Sequence, residues 1–177
     1  MYAYCMAAAH LELRHQIAVG FMISNVDMID GEGWRFTDDM TDQDACQTTK
    51  FSEVVPHVIH FCQRYSIGDF FLNKYLLPPD LLSSCDQPLM ELPPVTIAAT
   101  VNYSHYGDGT YTWWNATVNN FKWRRAKKHR NTFMVCSLMS SLNRAATFYK
   151  DHNCPNSANY NQTWNHFRSM NEKEKGK

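Results

Sequence analysis

The chain has 177 residues, 44% of them hydrophobic and 19% charged. That is one domain's length, able to hide roughly 70% of its unfolded surface, and the composition excludes a disordered, collagenous or coiled-coil polymer. Seventeen basic and seventeen acidic residues cancel, so no global charge draws the molecule to nucleic acid or anionic lipid. The cancellation conceals a division, because residues 1–110 hold fourteen acidic and five basic side chains whereas residues 111–177 hold three and twelve.

Tyr2, Cys5, Met6, Ala9 and Leu13 recur at three- and four-residue spacing beside an alanine run, which predicts a helix over 1–15. No basic segment precedes this apolar opening, so it is not expected to be a signal peptide. The stripe starts in mid-pattern, and the chain is expected to be a fragment whose beginning is missing. Residues 17–23 read as a short buried strand, and 25–44 as a polar loop. Asp38, Asp39, Asp42 and Asp44 within it lack the glycine and closing glutamate of a calcium loop, so they are expected to be a solvated acidic surface.

A second apolar strand is expected over 54–61, beginning after Pro56. Alternation sends His57 and Val58 to opposite faces and leaves His60 with Val58, so this strand offers one histidine as a ligand or base rather than a pair. Gln63 and Arg64 follow at its open end, where a guanidinium suits a diphosphate or a carboxylate; Asp69 or Glu91 would be its ordinary ion-pair partner. Residues 65–75 make a short extended or helical segment rich in Phe and Tyr. Pro78, Pro79, Pro88, Pro93 and Pro94 predict an extended surface connector.

Residues 96–101 read as a short helix or strand, and the stretch to Asn120 is rich in turn residues. Six Lys and Arg fall within residues 122–130, read as a solvated approach to a helix or a surface for anionic headgroups or polymer. Val135, Leu138, Met139, Leu142, Ala146 and Tyr149 form one apolar face of a helix over about 131–150, with Asn143 and Arg144 on another. Residues 155–177 are expected to form a polar, flexible tail after a first unit of 1–154.

Six cysteines without a metal-knuckle spacing allow up to three disulfides in any of 15 pairings. Three acceptor motifs for N-glycosylation, at Asn102, Asn115 and Asn161, add to them and point to a secretory lumen. The apolar runs are shorter than the about 18 to 20 residues a spanning helix needs. No hydrolase, zinc-protease, P-loop or dinucleotide motif is present, nor an aliphatic strand ending in DxD.

The opening MYAYCMAAA, the segment FMISNVDMI and the stretch PHVIHFCQRYSIGDFFLNKYLLPPDLLSSCDQPLMELPP together resemble the C-terminal part of the hydroxyproline O-arabinosyltransferase and peptidyl-serine alpha-galactosyltransferase group of Golgi enzymes. The likeness spans residues 1 to about 94, and more weakly the closing helix through Cys154. It implies an α/β chain, the C-terminal fragment of a GT-A-like nucleotide-sugar transferase fold with an incomplete sheet and flanking helices. It further implies Mn2+ as cofactor, a nucleotide sugar as donor, and a hydroxyproline- or serine-containing protein as acceptor, with the membrane anchor and DxD strand upstream. By the same likeness His60 would be a manganese ligand, Arg64 would approach the donor phosphates, and Tyr2 and Tyr4 would lie beside the acceptor sugar. Two other readings compete, a non-enzymatic secreted glycoprotein and an interaction module built on the basic run.

Overall fold

A computed structural model describes residues 2–13, 18–47, 55–101, 121–154 and 158–166. The described residues are a mixed α/β structure whose strands form three separate two-stranded sheets, none of them a closed barrel. The first helix, α1 (Tyr2–His10), is shorter than its apolar stripe. It ends with Glu12 in the left-handed region at φ 52°, Glu12 N–H donating to Ala9 O and Leu13 N–H to Ala8 O. This paired closure satisfies carbonyls that the last turn would otherwise leave open. Ala8 is buried, whereas Met6 and Leu13 are 71% and 55% exposed, so much of the stripe meets no core.

Strand β1 (Met22–Ile23) pairs in parallel with β2 (Val58–Ile59), in the register Met22 to Val58 and Ile23 to Ile59. Both expected strands therefore exist but shrink to two residues, and β2 is exposed rather than buried. Gly33 seats against this pair. Its N–H donates to Met22 O, and a Cβ there would lie 2.4 Å from Gly20 O, so only glycine allows the two backbones to approach.

The segment expected to be a polar loop is a core element. It holds α2 (Arg35–Asp38) and contributes Val26, Trp34, Phe36 and Met40 to the main hydrophobic cluster. Strands β3 (Tyr65–Ile67) and β4 (Phe70–Leu72) form an antiparallel hairpin. Gly68, at φ 55°, takes the first position of its two-residue turn, where a positive φ matches the twist of the strands. The proline-rich connector also enters the core, through Leu81 and Met90, the latter on β5 (Leu89–Met90). Helix α3 (Ile97–Thr100) follows.

The organising element is α4 (Phe121–Asn153), 33 residues long, or about 50 Å at 1.5 Å per residue. Each residue from 129 to 137 is buried, which happens to a helix only when neighbours cover it all round. Two disulfides fix it, Cys46–Cys136 and Cys85–Cys154. In the chain-entropy account, loops of 90 and 69 residues each contribute about 4 kcal/mol by restricting the unfolded chain.

Beyond Cys154 the chain returns to the core. Strand β6 (Thr163–Trp164) pairs in parallel with β5, and Asn165 is buried. Residues 158–166 are therefore structural, which corrects the expectation of a flexible tail from residue 155 for that part.

Candidate functional site at the carboxyl ends of the paired strands

Strands β1 and β2 run side by side in one direction, so their carboxyl ends open together, and such ends are where open α/β sheets present ligand-binding groups. The end of β1 is braced by one carboxylate. Glu32 accepts the Ser24 N–H at 2.6 Å, the Ser24 hydroxyl at 2.6 Å, the Asn25 N–H at 2.9 Å and the Trp34 indole N–H at 2.8 Å. Four donors occupy its oxygens, so Glu32 holds the turn in shape rather than serving as a base.

Tyr65 closes the site from below. Its ring is fully buried, its hydroxyl donates to Ser24 O at 2.6 Å, and burial, followed by the Cys62 sulfur, pushes its ionisation above the ordinary tyrosine value. The phenol is thus a neutral donor tying β3 to the end of β1.

His60 stands on this braced floor. Its N–H donates to Ile23 O at 2.9 Å, its carbonyl accepts the Cys62 N–H at 2.9 Å, and its imidazole is exposed. Cys62 is an exposed free thiol, and Arg64 is exposed beyond it. His57 instead stacks on Phe21, ring centres 5.3 Å apart and 11° from parallel. Both histidines are exposed and flank the two-residue strand β2 rather than lying within it.

An exposed imidazole at a sheet's open end suits one neutral nitrogen ligand to a divalent cation. Among the described residues, no group of three or more His, Cys, Asp and Glu side chains gathers to hold a metal, so His60 would be one member of a set completed by residues outside them. The side chains of Tyr2 and Tyr4, and Asn102 and Asn115 entirely, lie outside the described residues.

A second cluster corrects two sequence readings at once. Arg130, 3% exposed, donates to Asp38 through Nε at 2.8 Å and Nη2 at 2.7 Å, and through Nη1 to Met28 O at 2.6 Å. Lys128 reaches Asp42 Oδ2 at 2.7 Å and Ala98 O at 2.8 Å. His129 Nε2 lies 2.6 Å from Asp42 Oδ1, and Lys127 pairs with Asp27. Asp38 and Asp42 are thus the docking points of the basic run, not a solvated acidic loop, and Lys127, Lys128 and Arg130 are not a free cationic surface.

Burial pushes the Asp42 carboxyl up. The hydrogen bonds and charges of Lys128 and His129 outweigh that and leave it below the ordinary carboxylate value. No local pattern signals this clamp, since its halves lie more than 85 positions apart.

Among the described residues, no helix is long and apolar enough to cross a membrane. The two disulfides are compatible with an extracellular or secretory-pathway protein. No protein-family profile, curated protein or solved structure matches the chain.

Proposed function

We propose that these residues are the C-terminal part of a Golgi glycosyltransferase of the hydroxyproline O-arabinosyltransferase and peptidyl-serine alpha-galactosyltransferase group. The complete protein moves arabinose or galactose from a nucleotide sugar to hydroxyproline or serine of a protein acceptor. The observation that carries this reading is the parallel pairing of β1 with β2. It joins two of the segments that bear the resemblance and leaves His60 exposed at their common carboxyl end. Parallel sheets are normally covered on both faces, yet Val58 and Ile59 are each 38% exposed, which suits a sheet continued by other strands.

In this proposal His60 would help hold Mn2+ through a neutral nitrogen, and the ion would supply positive charge for a nucleotide diphosphate. Glu32 and Tyr65 keep the ledge beneath it fixed, and Arg64 is the candidate for the donor's phosphates.

The test uses the complete gene product, with transfer of labelled sugar to hydroxyproline- and serine-bearing peptides titrated against manganese. His60→Ala should lower the transfer rate on the order of 10 to 100-fold or more, the loss seen when metal coordination is disturbed, and the deficit should shrink at high manganese. His57→Ala should leave the manganese dependence unchanged. Equal rates and equal metal dependence for His60→Ala and the parent would overturn the assignment of His60. Absence of any transfer by the parent would favour the non-enzymatic glycoprotein.

A further inference from the structure

Asn161 belongs to the acceptor motif Asn161-Gln162-Thr163, which lies among the described residues. It sits at the tip of a turn built by its neighbours. The Asn159 N–H donates to Cys85 O at 2.8 Å, the Asn159 amide donates to Asp86 O at 3.0 Å, and Asn159 Oδ1 accepts the Gln162 N–H at 3.2 Å. Tyr160 reaches back to Asp151 on α4, its hydroxyl donating at 2.5 Å.

These four bonds fix the residues on either side. Asn161 itself is exposed, and Thr163 is exposed at the start of β6. We propose that Asn161 carries an N-linked oligosaccharide in the mature protein, displayed outward from the turn beside the Cys85–Cys154 disulfide. The inference rests on the secretory-lumen part of the reading above and is independent of sugar transfer by this protein.

The step is a glycosyl transfer onto an amide, performed by the lumen's oligosaccharide-transferring enzyme from a lipid-diphosphate-linked oligosaccharide. Asn161 Nδ2 forms a bond to the anomeric carbon of the first sugar. The bond from that carbon to the diphosphate oxygen breaks, the lipid diphosphate leaves with the electron pair, and Nδ2 releases one proton. The product keeps one amide hydrogen, and nothing is oxidised or reduced.

Addition to the chain before folding requires only the motif. Retention in the folded protein requires room, and an exposed Asn161 supplies it. A carbohydrate at this tip can project into solvent while Asn159 and Tyr160 keep their bonds.

The deciding measurement is mass spectrometry of the Asn161-containing peptide from the native gene product, beside translation of the 177-residue chain behind a cleavable signal sequence with endoplasmic-reticulum microsomes. The native peptide should be glycosylated. In microsomes the parent should carry one glycan more than Asn161→Gln or Thr163→Ala, and Thr163→Ser should retain it. An unmodified native Asn161 overturns the inference, and the microsome arm then separates the causes. Modification there would mean that the native protein never meets the lumen, whereas equal glycan counts in parent and Asn161→Gln would mean that the site itself is refused. A glycan that endoglycosidase cannot release from the folded, non-reduced protein would overturn the exposed placement.

Discussion

At the scale of single residues, the charges of this chain are placed to be used internally. Arg130 is buried with a fork of bonds to Asp38, whereas Asp39 beside it is exposed. Removing Asp38 takes the paired carboxylate from a guanidinium held in the core, and breaking a buried ion pair from one side is among the most damaging single changes. Asp38→Ala is expected to destabilise the protein by about 3 kcal/mol and Asp39→Ala by about 0.5 kcal/mol or less, compared by urea unfolding of the two variants. Similar midpoints for both would mean that Asp38 and Arg130 contribute no more than an exposed pair.

Asp42 adds a dependence on pH. Because its folded carboxyl ionises below the unfolded value of 3.8, its contribution is fully present above that value and is lost as the pH falls through the folded one. Asp42→Asn should therefore lower the urea midpoint near neutrality and flatten its decline between about pH 5 and pH 2. Parallel acid limbs for parent and variant would exclude Asp42 as a source of acid sensitivity.

At the scale of elements, α4 works through side chains that imitate backbone. Asn143 Oδ1 accepts the Met90 N–H at 2.8 Å, and its Nδ2 donates to Met90 O at 2.8 Å. One amide thus completes both polar groups of a buried residue on β5. Asn131 does the same in part for β3, accepting the Ser66 N–H at 3.3 Å. Asn143→Ala should cost about 2 kcal/mol, the penalty for leaving buried partners unsatisfied, and should speed hydrogen exchange at the Met90 amide above all. Unchanged exchange there would refute the role.

What the sequence disclosed at this scale follows from what is local. The three- and four-residue rhythm of Val135, Leu138, Met139, Leu142 and Ala146 located the middle of α4. The Gly68-Asp69 pair between Tyr65-Ser66-Ile67 and Phe70-Phe71-Leu72 is an equally local hairpin signal, masked by an aromatic-rich run that fits a helix or a strand alike. The N-terminal third of α4 was hidden by its own charge. A basic run reads as solvated until its carboxylates are found, and those belong to a segment whose polarity suggested a loop. The site divides in the same way: the apolar run over 54–61 marks where β2 lies, but nothing local shows that Glu32, reached through Ser24 and Trp34, braces the floor below His60.

At the scale of the whole molecule, the acidic first part and the basic last part are two halves of one neutralised structure, with α4 as the seam. The same seam takes both disulfides, and their order along the chain is interlaced: Cys46, Cys85, Cys136, Cys154, joined first to third and second to fourth. Any peptide bond between Cys85 and Cys136 lies inside both covalent rings. A single protease cut there, for instance at a basic residue of α4 before Cys136, would yield two polypeptides that remain one molecule, migrating as a single band on a non-reducing gel and separating only when thiol is added. A cut between Cys46 and Cys85, or between Cys136 and Cys154, leaves the pieces joined by one bridge alone. Mutating Cys46 to Ser should leave a chain nicked between Cys85 and Cys136 held by one bridge, and removing Cys85 as well should let the pieces part without reductant. Fragments that separate from the parent under non-reducing conditions would refute this pairing. Interlacing makes the protein a two-chain assembly in waiting, tolerant of one break in the middle of its covalent thread.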